Sequence, residues 1–167
     1  IGGYDGSNQR LNQVLQLDVS INQWTQKAPM PTARVGLKLV EFQNKIWAIG
    51  GIAYGGAQNK VEVYDISNDT WTTAPSMTTT RSWPSAWTNN DRIYVAGGSL
   101  GATFYNTIES YDPDSNQWMI GGELPEKKYA ADSSILDGKL YLLSGSLSSG
   151  PIVYSNKVFA ADITPPM

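Results

Sequence analysis

One unit of 47 residues recurs along this chain, and that periodicity constrains its fold more than any other feature. Trp24, Trp71 and Trp118 stand 47 apart twice over, as do Asp18, Asp65 and Asp112; Arg34, Arg81 and Lys128; and Trp47, Tyr94 and Tyr141. Glycine pairs keep the step to within one residue at Gly2-Gly3, Gly50-Gly51 and Gly97-Gly98, with Ser144-Gly145 as a weakened further copy. Chance does not place four independent landmarks in one register.

Read from Arg34, one unit spells four strands. Residues 34–42 form a first apolar segment, Gln43-Asn44 supply turn chemistry, and residues 45–51 (KIWAIGG) complete a hairpin that ends in glycines. A Gly-rich loop, IAYGGAQN, leads to KVEVYD at 60–65, whose alternating polar and apolar side chains predict a strand with one buried face. The turn ISNDT, Trp71 and a short fourth strand follow, and APSM hands over to Arg81. A four-stranded antiparallel sheet of this size needs neighbours stacked on both faces, which a radial propeller supplies. Composition agrees: six Trp and nine Tyr against three Phe suit flat rings wedged between blades, and sixteen Gly suit tight turns and close backbone approach.

The strings IWAIGG, VEVYDISNDTW, IYVAGG and IESYDPDSNQW resemble the kelch repeat. The resemblance runs to about Ile163 and implies an all-β propeller of four-stranded antiparallel kelch-type blades. Departures fall at the ends: Leu17 stands where Tyr64 and Tyr111 do, Ser144 replaces a glycine, and in VFAAD Ala161 replaces the tyrosine with no Trp after it. The strands amount to about three and a half blades: a half blade over 1–27, blades over 28–74 and 75–121, a partial blade over 122–163, and a linker at 164–167. Closed propellers need at least about four, so the remaining blades are expected from the same longer chain or from a second copy completing a ring. A start inside a motif at Ile1 and the Pro-rich end favour the first.

Charge and composition remove several function classes. A formal net charge of −3 without a basic run carries no footprint for nucleic acid or anionic lipid. No segment approaches the roughly 20 apolar residues of a membrane span. With no Cys and no His, the chain lacks a thiol nucleophile, the usual neutral-pH base and the commonest metal ligands, so no metal or other cofactor is expected. Absence of Cys fits a bacterial protein, and the uncharged Asn, Gln, Ser and Thr-rich surface points to an extracellular or periplasmic setting. The run from Asp112 to Glu123 superficially matches a calcium loop, but Gln117 stands where that loop needs Gly, and the same turn recurs as DVSIN and DISND. GGIAYGG lacks the Lys and helix of a phosphate loop, and Asn68-Asp69-Thr70 is a glycosylation sequon on a strand-connecting turn. Glu62 and Glu109 read as structural, because glycosidase acids lie about 5 to 9.5 Å apart and equivalent positions of adjacent blades should lie farther.

Function is therefore sought on the loops joining second to third strands and blade to blade, which emerge on one face. Tyr4, Arg10, Tyr54, Phe104, Tyr105 and Tyr154 are the first candidates there, with Trp83 and Trp87 near the start of an inner strand. Arg34, Arg81 and Lys128 recur at the entrance to each innermost strand, either as a ring of cations for an anionic ligand or as a repeat-wide salt bridge, which strict recurrence favours. The expected function is a non-catalytic binding or scaffold module recognising a protein segment or a glycan, and the resemblance implies the same, since many kelch proteins are adaptors. The alternative is a sugar-processing enzyme, such as a sialic acid mutarotase-like isomerase, which needs only an acid/base carboxylate and a cationic clamp. Its signature would be a Glu or Asp within about 3 Å of an Arg in the central cavity, with a raised pKa. A third reading is a purely structural part of a larger protein.

Overall fold

The computed structural model describes residues 1–89, 91–147 and 153–162, so the expected linker and part of the loop at 146–155 lie outside the described residues. All regular structure within them is strand, and no helix is long and apolar enough to cross a membrane. β1 (Val14–Asp18) and β2 (Gln23–Lys27) form a two-stranded sheet. β3 (Lys38–Phe42), β4 (Lys45–Ile49), β7 (Val61–Asp65) and β8 (Thr70–Ala74) form a four-stranded antiparallel sheet, with the small hairpin β5 (Ile52–Ala53) and β6 (Gly56–Ala57) inserted after β4. The next unit repeats this plan: β9 (Ser85–Asn89), β10 (Arg92–Ala96), β13 (Thr107–Asp112) and β14 (Gln117–Glu123), with β11 (Ser99–Leu100) and β12 (Thr103–Phe104) as its inserted hairpin. A three-stranded sheet closes the series with β15 (Asp132–Leu136), β16 (Lys139–Leu143) and β17 (Val158–Asp162). The innermost strands β3, β9 and β15 lie beside one another, as blades around an axis require.

Local chemistry accounts for the turns. Gln43 and Asn44 between β3 and β4 take φ of +53° and +59°, and Asp137-Gly138 between β15 and β16 take +51° and +71°. Two consecutive positive φ values are what a two-residue hairpin needs to match strand twist. After the third strand, Asp18, Asp65 and Asp112 each accept a backbone N–H two residues on, from Ser20 at 2.9 Å, Ser67 at 3.0 Å and Asp114 at 3.0 Å. That Asx-type turn is why the aspartates repeat.

The core lies between blades. Val40, Phe42, Trp47, Ile49, Val61 and Val63 pack against Ile93, Val95, Tyr111 and Trp118 of the following sheet. Trp47 and Tyr111 meet at 4.9 Å across that wedge. The glycine pairs form the backbone seam: Gly3, Gly51 and Gly98 donate N–H to the carbonyls of Arg34, Arg81 and Lys128 at 3.0, 3.0 and 2.7 Å. At Gly50, with φ +62°, an added Cβ would sit 2.6 Å from the Arg81 carbonyl oxygen, so the seam closes only without a side chain.

Three readings of the strands need correction. The first strand starts at Lys38 rather than Arg34, because Gly36 turns the chain at φ +62° just before it. KVEVYD does not have one buried face: Val61, Glu62, Val63 and Tyr64 are all buried, the Glu by an ion pair inside the blade. The Gly-rich loop after β4 is itself a hairpin, pairing Ile52 with Ala57 and Ala53 with Gly56. In the two-stranded sheet Trp24 is 64% exposed, whereas Trp118 is 8% exposed. The indoles of Trp71 and Trp118 donate to Ala28 O at 2.9 Å and Pro75 O at 3.0 Å, just past the preceding sheet's last strand, and among the described residues no sheet precedes β1 and β2 to offer Trp24 the same carbonyl.

Candidate functional site

The three recurring cations hold the necks of the long loops. Arg34 is fully buried and donates to Gly50 O at 2.6 Å and Lys60 O at 3.1 Å, the two ends of the loop between β4 and β7, and to Glu62 at 2.8 Å. Arg81 repeats this with Gly97 O at 2.7 Å, Thr107 O at 3.1 Å and Glu109 at 2.6 Å. Lys128 reaches Ser144 O at 2.9 Å and Lys157 O at 3.4 Å, but Phe159, which pairs with Leu142 as Glu62 does with Ala48 and Glu109 with Val95, stands where the repeat has its glutamates. The ammonium therefore lies 4.6 Å from the Phe159 ring centroid and turns to Ser155 Oγ at 3.1 Å and Glu126 at 3.4 Å. Burial pulls both guanidiniums below their usual value, opposed by the adjacent Glu62 and Glu109. The geometry is therefore that of a repeat-wide salt bridge, and no ring of solvent-facing cations forms from Arg34, Arg81 and Lys128. Their effect on the surface is indirect: they stiffen the loops that carry it.

Trp87 also leaves the surface. It lies in β9, 8% exposed, stacked on Tyr94 at 5.5 Å within the wedge between the last two sheets. Sequence placed it near the mouth; side-chain alternation along β9 turns it into the core.

The remaining candidates gather on the loop face in small groups. Tyr4 and Arg10 bridge each other across a turn capped by the Asp5 carboxylate, which accepts Ser7 N–H at 2.9 Å and Gln9 N–H at 2.7 Å. The Arg10 guanidinium lies 5.9 Å from the Tyr54 ring centroid, and Tyr54 itself, at the tip of the β5–β6 hairpin, is 94% exposed. Tyr105 lies under Arg81 at 5.4 Å, and Phe104 stacks on Tyr129 at 4.8 Å. Tyr154, 75% exposed, borders a cavity of about 290 Å³ with Tyr129, Ser144 and Ser146.

Trp83 stands apart, at the entrance to β9. Two residues after each cation the chain adopts a left-handed conformation, with φ of +62° at Gly36, +53° at Trp83 and +53° at Ala130. Backbone bonds link these positions from blade to blade: Trp83 N–H donates to Gly36 O at 2.7 Å, and Ala130 N–H to Trp83 O at 2.9 Å. The indole lies across Gly36, where an added Cβ would come within 2.6 Å of Cε2, and the residue stays 41% exposed. It lines a cavity of about 290 Å³ with Leu37, Pro84 and Ala131, and Lys38 and Asp132 form an ion pair at the rim that joins β3 to β15. The Lys38 ammonium, with Ser133 N–H, holds the Asp132 carboxyl below its usual range. Sequence reading missed Lys38, Asp132 and Tyr129. Tyr129 carried a signal, as the residue next to a repeating cation; Lys38 and Asp132 are 94 residues apart, two repeat lengths, so they share one position on the inner strands, and the opposite charges at that position went unread.

Among the described residues no group of His, Cys, Asp or Glu is placed to hold a metal ion. A family model described as the KLHDC2/KLHL20/DRC7 Kelch-repeats domain matches residues 1–145. A solved structure titled "Structure of YjhT" superposes with a TM-score of 0.82 at 20% identity, a likeness of fold. It covers 97% of this chain and 61% of that one, so this chain spans less than two thirds of its neighbour's length. No curated protein matches the chain.

Proposed function

The chain belongs to the KLHDC2/KLHL20/DRC7 kelch-repeat family, and on that premise we propose that it is a non-catalytic recognition module whose loop face binds a glycan or a protein segment. One observation carries this reading: Tyr4, Tyr54, Trp83 and Tyr154 are each at least 41% exposed on that face, while the loops beneath them are tied by buried cations and short hairpins. Aromatic side chains held on stiff loops make contact area at little entropic cost, which is how binding surfaces are built on rigid scaffolds.

The sugar-processing alternative has a geometric signature, and the described residues meet only part of it. Glu62 and Glu109 lie within hydrogen-bond distance of Arg34 and Arg81, but inside the blades and sealed from solvent. Burial pushes the Glu109 carboxyl up; hydrogen bonds from Thr78 and Thr79 and the Arg81 guanidinium outweigh it and hold it below its usual range. An acid so placed keeps its proton off at neutral pH and has no access to a substrate.

Glycan and peptide arrays on the full-length protein test the proposal. Binding that falls at least about tenfold when Tyr54 and Tyr154 are replaced by Ala and Trp83 by Gly supports it. A ligand retained undiminished by that triple variant places the binding surface elsewhere.

A further inference from the structure

The geometry points to the axial mouth around Trp83 as a subsite for one uncharged pyranose ring, stacked on the indole, with its hydroxyls bonded to Lys38 and Asp132. This rests on the loop face being a recognition surface. The first ground is the backbone. The left-handed position belongs to every repeat, and Gly36 and Ala130 fill it without a large side chain. A bulky residue is the least favourable choice at positive φ, and a Trp kept there half-exposed points to a use beyond the fold. The second ground is the seat. Gly36 has no Cβ, and the indole lies flat against it, so one ring face is backed by protein while 41% of the residue remains open.

Chemistry of the surroundings selects the ligand class. A pyranose presents one face of C–H groups, which suits an aromatic plane, and a rim of hydroxyls that both donate and accept. Lys38 supplies donors and Asp132 acceptors at the cavity rim, and as an ion pair they carry no net charge. An anionic sugar would have to displace Asp132 from Lys38, and a quaternary ammonium would have to displace Lys38 from Asp132 and would find one aromatic wall where such ligands use a cage. A peptide's aliphatic or proline side chain would use the indole and leave the ion pair idle. At about 290 Å³ the cavity is at the small end of ligand sites, the scale of a single sugar unit.

The test follows indole N–H signals in two-dimensional NMR of the full-length protein during titration with neutral methyl pyranosides (gluco, galacto, manno), N-acetylneuraminate, and a proline-rich peptide. Trp83→Gly removes the platform and restores the residue its own repeat uses at Gly36, so the fold is expected to survive; an unchanged melting temperature checks this. The signal that disappears in Trp83→Gly identifies Trp83. The expected result is a saturable shift of that signal by at least one neutral pyranoside, with half-saturation raised at least about tenfold in Lys38→Met, and no saturable shift with the anionic sugar or the peptide. Absence of a pyranoside shift, or an equal response to N-acetylneuraminate, overturns the subsite. If array ligands still bind and depend on Tyr54 and Tyr154, the loop-face reading stands without it. If they bind independently of that face, both fall. Should Trp83→Gly melt earlier, Lys38→Met alone decides by the same tenfold criterion.

Discussion

The Arg81 guanidinium donates to the Glu109 carboxylate at 2.6 Å with neither side chain exposed, and one blade earlier Arg34 makes the same contact with Glu62 at 2.8 Å. Each pair joins the entrance of a blade to its third strand, and each arginine also grips both ends of a long loop. A buried pair of this kind is costly to break and cheap to replace whole, because the unpaired charge left behind sets the cost.

Glu109→Ala is therefore expected to lower unfolding stability by about 3 to 5 kcal/mol, and Arg81→Met with Glu109→Leu to recover only the part due to the unpaired charge, since Gly97 O, Thr107 O and the Thr78 and Thr79 N–H groups still lose their partners. Urea denaturation of the three proteins measures both. A single variant within about 1 kcal/mol of the parent would show that the pair is not sealed from water.

Stability should also fall in acid. The folded Glu109 carboxyl lies below its ordinary value of 4.5, so its contribution is whole above pH 4.5 and is lost as the pH falls through the lower folded value. Urea midpoints from pH 7 to 3 should drop less steeply below pH 4.5 in the Met/Leu double variant than in the parent. Parallel profiles would assign the acid sensitivity to other carboxylates.

At the alkaline end Tyr64 dominates. Burial, the hydrogen bond it donates to Asp69 at 2.6 Å and the charges of Asp69 and Asp65 push its hydroxyl up to about 12 from 10.0. Raised in the fold, it leaves stability intact below pH 10 and drains it as the unfolded chain ionises between pH 10 and 12. Tyr64→Phe should cost about 1 kcal/mol at pH 7 and flatten the decline above pH 10, which thermal melts at pH 7, 10 and 11 would reveal.

The glycines divide into two kinds. Gly50→Ala meets the Arg81 carbonyl at φ +62° and should cost roughly 2 to 5 kcal/mol, from strain and overpacking together. Gly55→Ala has φ +93° with open space around it, and strain alone should cost about 1 to 2 kcal/mol. Melting curves of the two variants separate a seam glycine from a turn glycine; equal losses would deny the seam its steric role.

Much of the architecture was legible because it is periodic. A landmark repeated every 47 residues reports one local environment three times over, so strand order, the Asx turns at Asp65 and Asp112 and the wedge of aromatic rings could all be read from spacing. The repeat carried the change from arginine to Lys128 at the last blade, whereas a longer loop there puts Phe159 off the 47-residue step and in the place of the glutamate.

What spacing could not show is how side chains share space across blades. Trp87 and Trp83 lie four residues apart and look alike in sequence, yet one is stacked in the wedge and the other lies open over Gly36. Arg34 and Arg81 read in sequence either as a ring of cations or as a repeat-wide salt bridge, and their glutamate partners, 28 residues away, are what the structure adds in favour of the second. The amino-acid sequence by itself determined the blade, because each blade's strands, turns and glycines are local and repeat. Only the tertiary structure decided the candidate site, because the mouth is made where separate blades converge, and Lys38 and Asp132 become neighbours only once β3, β9 and β15 stand side by side.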